Sequence, residues 1–366
     1  MIIKKIETYA TEMVGFVRVT TDTGDFGWGQ VSPYNADITC LILHRQVAPH
    51  ALGEDISDVL ALVTRITELE HKFPGSYLRR ALAGLDTAIW DLQGQIRELP
   101  VCSLIGGTPG PVRAYASSMK REIKPELEVA RLLELADKKG FDAFKIRIGS
   151  ECGHDADEWP GRTEKMIETM NRAFGSQSTL LADANSCYSP SQAIIIGKML
   201  EDARFCHFEE PCPYWEFEQT RMVRESLNID IAGGEQECGL SGWRRMIDEH
   251  VVDIVQPDIC YTGGLSRTLE VAKMAASRGL PCTPHSANLS MVTLFTMHLL
   301  RAIPNAGKYL ELSIEDHDYY PWQESLFTEN PYRLDDGCVT VQDAPGWGVE
   351  INHEWLNQAA FYVSSA

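Results

Sequence analysis

The sequence predicts an α/β protein: an α+β N-terminal domain followed by a barrel of parallel strands. Two observations carry this. After the break "GGTPGP", Gly106 to Pro111, eight short apolar segments alternate with amphipathic stretches, at intervals of roughly 25 residues, the rhythm of a TIM-type barrel. No Gly-rich dinucleotide loop follows the first of these segments, which argues against a doubly wound sheet.

Taken in order, "FVRVTTDTGDFGWGQ" reads as two strands of alternating pattern around the turn Thr23-Gly24-Asp25. "SYLRRALAGLDTAIWDLQGQ", Ser76 to Gln95, carries Leu78, Leu82, Leu85, Ile89 and Leu92 at helical spacing. The eight barrel strands are assigned to Val112–Ser117, Ala143–Ile148, Leu180–Asp183, Phe205–Glu209, Ile229–Gly233, Asp253–Val255, Pro281–Thr283 and Tyr309–Leu312. No ninth cycle follows, so the tail is expected to pack back on the first domain. The expected units are 1–111, 112–340 and 341–366. The polar stretch Ser150–Lys165, after the second strand, is either a functional loop or ordinary surface.

Composition narrows the function. A net charge of −19 argues against nucleic acid or an anionic membrane as partner, because neutralising phosphate takes Lys and Arg. No apolar run approaches the roughly 18 residues of a membrane span. The start, "MIIKKIETYATEM", is too polar for a signal-peptide core. The ten cysteines are scattered with no C-x-x-C, the usage of reduced thiols in a cytoplasmic protein.

Barrel chemistry sits at the C-terminal strand ends. There the sequence places Asp183, then Glu209 and Glu210, then Glu235, Asp258, His285 and Glu311. One such carboxylate is commonly a helix cap. Acids on three successive strands repel unless a cation neutralises them, and three oxygens at one rim suit Mg²⁺. No H-x-H or H-x-x-x-H occurs, which argues against a zinc hydrolase. Lys145 and Arg147, two apart on the second strand, point the same way. They would hold an anionic substrate against the acidic background. Asp258 and His285 come from neighbouring strands, so the carboxylate can fix the imidazole in one tautomer and raise its basicity.

This pattern resembles the enolase superfamily, and within it the mandelate racemase subgroup, over nearly the whole chain. Asp183, Glu209 and Glu235 are spaced 26 apart, and Asp258 and His285 are 27 apart. "AGLDTAIWDLQGQ" looks like the signature at the end of the capping domain, and "FEEP", "GGEQ" and "VQPD" look like barrel strands of the family. The resemblance implies an α+β capping domain over a modified (β/α)₇β barrel, and one Mg²⁺ per subunit on Asp183, Glu209 and Glu235. It implies a small-molecule carboxylate substrate whose α-proton is removed, and a homo-oligomer. In it His285 is the base, Asp258 orients it, and Lys145 contacts the substrate carboxylate. Glu311 donates to that carboxylate, which requires a protonated Glu311. The 26-residue spacings select Glu209 as the ligand, and strand alternation then points Glu210 away, to a supporting role or a salt bridge with a neighbouring strand or helix.

One position departs from the racemase pattern. The Lys-x-Lys pair is here Lys145-Ile146-Arg147, and a guanidinium is a poor general base. The favoured expectation is therefore dehydration of an acid sugar, an aldonate or aldarate, through one histidine. Arg147 then binds substrate. A racemase or epimerase of the same subgroup is the alternative, and a catalytically idle metal-binding regulatory barrel is the alternative of another class. Sister-subgroup cycloisomerases need a lysine where this chain has Asp258. The cap supplies specificity in this family. The flap within "ETYATEMVGFVRV" is short, implying a roomier mouth, and Tyr34, Asn35 and His44 are candidate contacts to substrate hydroxyls.

Overall fold

The structure is a computed structural model describing residues 1–366. Strands β1 (Ile3–Ala10), β2 (Gly15–Thr21) and β3 (Phe26–Gln30) form an antiparallel sheet. Its outer edge is β12 (Ala360–Ser365), the end of the chain, antiparallel beside β1. The β1–β2 connection is a tight turn closed by Thr11 N donating to Val14 O.

The helix Ser76–Arg97 packs across this sheet. Gly27 and Gly29 on β3 permit the approach: a Cβ on either would stand 2.3–2.4 Å from backbone atoms of Leu92 and Ala88. The segment "LDTAIWD" of this helix ties the cap to the rest of the molecule. Asp86 accepts from Ser266 N at the start of helix Leu265–Ser277. Thr87 O accepts from Trp347 Nε1, and Trp90 Nε1 donates to Ser266 Oγ. Asp91 accepts from Trp28 N at 2.7 Å and from Trp347 N at 2.9 Å. Gln30 adds a clamp, accepting from Met291 N and donating to Ser290 Oγ.

The second unit is a parallel sheet of β4 (Gly110–Ser117), β5 (Ala143–Arg147), β6 (Thr179–Asp183), β7 (His207–Glu209), β8 (Asp230–Gly233) and β9 (Ile254–Val255). On the far side of β4 lies β10 (Leu310–Ser313). Helices between successive strands cover the outside, the arrangement that crossover connections require. All eight predicted strand positions carry chain in this direction. The seventh shrinks to one residue, Cys282, which bridges Val255 on one side and Ala306 on the other. The ladder is therefore not continuous around the barrel. A short strand, β11 (Cys338–Val341), pairs antiparallel with β4. No helix is long and apolar enough to cross a membrane, and all ten cysteines are free.

Candidate active site

The register of the sheet builds the site. Arg147, Asp183 and Glu209 are direct partners across β5, β6 and β7, so they form one inward row at the strand ends. One layer below, Lys145, Leu181 and His207 form the next. Glu235 follows β8 in the turn after Gly234, whose φ of 105° is the left-handed conformation glycine tolerates. Asp258, after β9, and His285, after the Cys282 bridge, complete the rim with Glu311 of β10. All are buried, and Lys145, Asp183 and Glu311 are fully so.

Lys145 Nζ sits among three carboxylates: Glu311 at 2.7 Å, Glu209 at 2.9 Å and Asp183 at 3.4 Å. Arg147 pairs with Asp183 through Nη1 and approaches Met119 Sδ with Nη2, while its Nε has no hydrogen-bond partner. Burial lowers the affinity of both cations for their protons, but the surrounding carboxylates outweigh it and raise both above their ordinary values. The same field acts back on the acids. Burial raises Glu209, and Lys145 overcomes it, leaving the carboxyl well below the usual range.

Asp258 accepts from Tyr261 N with Oδ1 and lies 2.8 Å from His285 Nδ1 with Oδ2. A carboxylate can only accept, so Nδ1 carries the proton and Nε2 faces the site, 3.3 Å from Glu235 Oε2. Burial lowers the imidazole, and Glu235, then Asp258, bring it up to about 10. His285 therefore holds its proton unless a cation offsets Glu235.

The residues fit a hard divalent ion. Asp183, Glu209 and Glu235 offer only oxygen donors, and Glu235 Oε2 is buried without a hydrogen bond. In this arrangement their donor atoms are not gathered as a metal site would gather them: Lys145 pairs with Asp183 and Glu209, Arg147 with Asp183, and Glu235 lies beside His285.

Several expectations meet a different arrangement. Glu311 accepts from Ser117 Oγ at 2.8 Å and from Ser286 N at 2.9 Å, besides Lys145. Burial raises it, Lys145 and then His285 outweigh that, and it is held down at about 2. With only donors around it, Glu311 is a carboxylate and not the protonated group expected. His44 does not join the cluster. Its Nε2 bonds Thr8 Oγ1 and its Nδ1 bonds Ser364 Oγ, both at 2.8 Å, leaving neither nitrogen for a substrate. Asn35 is exposed at the start of helix Ala36–Ile42 and makes no side-chain cap. Tyr34 does reach the barrel: its ring meets Trp322 edge-on at 5.9 Å, and Trp322 continues to Tyr320 and Tyr319. Glu210, at a left-handed φ of 41°, makes no salt bridge. Its Oε2 accepts from Asn185 Nδ2 and Ser186 Oγ at 3.4 Å, and its Oε1 is unpartnered. The stretch Ser150–Lys165 closes through Asp157, which accepts from Thr163, and is tied to the loop after β6, where Ser189 donates to Asp155 and Gly153 N and Asp155 N donate to Ser186 O and Cys187 O.

Sequence reasoning missed His207, whose Nε2 lies 3.2 Å from Glu209 Oε2. It stands two residues before Glu209, so strand alternation could have found it. It also missed Ser117 beside Glu311, and the aromatic group Tyr319, Tyr320 and Trp322. Those three come from the loop after β10, whose one short 3-10 turn, Pro321–Gln323, carries no periodic signal.

Residues 3–106 match the mandelate racemase/muconate lactonizing enzyme N-terminal domain, and residues 128–355 match the enolase C-terminal domain-like fold. The chain belongs to the mandelate racemase/muconate lactonizing enzyme family of the enolase superfamily. Members of this family are enzymes, lyases and isomerases alike. A crystal structure of a Roseobacter denitrificans protein named as a candidate racemase is 62% identical, with a TM-score of 0.99 and full coverage of both chains. A family structure from Paracoccus denitrificans PD1222, complexed with magnesium, is 27% identical, with a TM-score of 0.88, over 100% of this chain and 98% of that one. Arabinonate dehydratase from Saccharolobus solfataricus is 27% identical over 356 residues, 95% of this chain and 91% of its own. Other family relatives at 25–30% identity are named as dehydratases of xylonate, gluconate, galactonate and L-talarate/galactarate, and as D-galactarolactone cycloisomerase.

Proposed function

We propose that this enzyme is a Mg²⁺-dependent dehydratase of an acid sugar, converting it to a 2-keto-3-deoxy acid. The observation that carries the reading is the asymmetry of the two sides of the mouth. His285 can take and return a proton. Across from it stands Arg147, a guanidinium raised above its ordinary value among Asp183, Glu235 and Glu209. Two-base chemistry needs a base on both faces of the α-carbon, and only one is present.

Magnesium, held by Asp183, Glu209 and Glu235, would stabilise the negative charge that develops on the substrate carboxylate as the enediolate forms. Lys145 adds a positive charge on the same side. His285 Nε2 removes the α-proton while Asp258 keeps the proton on Nδ1. The enediolate electrons expel the β-hydroxyl, and the imidazolium returns its proton to that oxygen, so water leaves. The resulting enol tautomerises to the keto acid. Arg147 and Tyr34 bind hydroxyls rather than protons in flight.

Relatives named as acid-sugar dehydratases support this reading. The racemase name of the 62% identical neighbour favours the second reading, 1,1-proton transfer in the same site. The test is a keto-acid assay over a library of aldonates and aldarates with Mg²⁺, with His285→Asn as control. Keto acid from wild type but not from the variant supports dehydration. Wild-type α-proton exchange with no keto acid from any member contradicts it.

A further inference from the structure

We infer that Arg121 is a specificity residue for a second carboxylate, so the substrate is a dicarboxylic acid sugar rather than a monocarboxylic one. This rests on the acid-sugar reading above and narrows it.

Arg121 lies in the loop after β4. It donates through Nε to Gly149 O, in the loop after β5, at 3.2 Å, and through Nη2 to Asn185 Oδ1, in the loop after β6, at 3.4 Å. It thus stands above three successive strand ends, across the barrel from Asp258 and His285. Its partners are neutral, and Nη1 has none. In a chain with 52 acidic and 33 basic residues, a half-buried arginine at the mouth without a carboxylate is a choice against the average.

Its neighbour makes the point stronger. Gly149 and Asn185, which Arg121 bonds, lie two residues beyond Arg147 and its partner Asp183, so Arg121 stands next above that pair, and burial, then the charge of Arg147, hold it below the ordinary arginine value. Arg147 has one carboxylate partner, Asp183, and a buried Nε with no partner at all. An Asp183 committed to a cation leaves both arginines unbalanced. The substrate carboxylate at the reacting end would be served by Lys145 and the cation that Asp183, Glu209 and Glu235 would hold. With Arg147 on substrate hydroxyls, the positive charge of Arg121 is in excess of what a monocarboxylate needs, and it matches an anion at the other end of the substrate. Tyr319 comes down on the same loop after β4, its hydroxyl donating to Met119 O at 3.5 Å. Arg79, Arg80 and Arg267 also lack carboxylate partners, but they bond Thr67, Ser32 and the carbonyls of Thr262 and Cys238 at the cap–barrel joint, and Arg80 and Arg267 lie beside Tyr261 and Thr262, on the side of Asp258 and not across from it.

Binding can be measured apart from turnover on a His285→Asn background with Mg²⁺, by calorimetry. The ligands are six-carbon aldaric acids and the aldonic acids of matching configuration. The diacid should bind about 10- to 100-fold tighter, the worth of one or two charge-assisted hydrogen bonds. Adding Arg121→Met should remove most of that preference, and Arg121→Lys should leave part of it. Equal affinity for the two acids overturns the inference, as does a loss in Arg121→Met that is the same for both while the fold, checked by circular dichroism, is intact. If neither acid binds, both this inference and the acid-sugar reading fall. If the diacid binds preferentially and wild type yields no keto acid from it, only the dehydration reading falls.

Discussion

Two sets of buried carboxylates lie on either side of the junction between cap and barrel, and they are held in opposite ways. Asp86 and Asp91, on the cap helix, are balanced by backbone N–H groups and neighbouring polar side chains, with no cation in ion-pair contact. Burial pushes them up to about 7 and about 6. Asp183, Glu209 and Glu311, at the strand ends, are balanced by Lys145 and Arg147, and Glu209 and Glu311 are held down. Amides fixed in a helix terminus and a loop can only anchor an acid. Ammonium and guanidinium groups on side chains can move, so the charge they neutralise can be handed to a metal and a substrate. The first set ties the cap helix to the barrel side, and the second set is the one the proposed reaction uses.

The largest expected effect separates the adjacent glutamates of the second set. Glu209→Gln should cost at least about 10³-fold in Mg²⁺-dependent turnover, because a carboxylate ligand to the cation is lost. Glu210→Gln, whose acid makes no ion pair, should cost roughly 10-fold. Steady-state kinetics and a Mn²⁺-binding titration decide this. Equal losses in both variants would merge two roles that the geometry keeps apart.

The next effect belongs to the first set and is read in stability. Unfolded aspartates titrate near 4, below the folded values of Asp86 and Asp91. Between about pH 4 and 7 the folded chain keeps protons that the unfolded chain has released. Their contribution is thus fully present below pH 4 and is lost as the pH rises through the folded values. Asp86→Asn keeps an acceptor and removes the titration, so it should reduce the loss of stability between pH 5 and pH 8 by about 1–3 kcal/mol. Urea unfolding of both proteins at the two pH values measures it. An unchanged difference would mean that Asp86 ionises without cost.

The smallest effect contrasts two cap residues. Tyr34→Phe should raise KM a few-fold, about the worth of one hydrogen bond. His44→Phe should leave KM unchanged and lower the melting temperature, since its partners are Thr8 and Ser364. A KM change in His44→Phe would return that residue to the site.

The strand-end acids were legible because each closes a short apolar segment and their spacing repeats the barrel's own unit. Their grouping follows from register, which the parallel ladder fixes. The cap contacts were not legible. His44 reads as a loop or helix residue like Tyr34, and only the pairing of β1 with β12, across almost the whole chain, shows that it is enclosed. Glu311 was placed correctly at a strand end, but its ionisation depends on Ser117, Lys145 and Ser286, three donors from three other places in the chain. Arg121 and the aromatic group Tyr319 to Trp322 sit in loops, where position is set by tertiary contacts and not by periodicity.

The central claim is that one histidine removes the α-proton and delivers it to the departing hydroxyl. It is tested most directly by following a turned-over acid sugar in D₂O with Mg²⁺ by proton NMR. The account predicts that keto acid accumulates, that unreacted substrate keeps its α-configuration, and that His285→Asn does neither chemistry. Substrate of inverted α-configuration appearing without keto acid would contradict it.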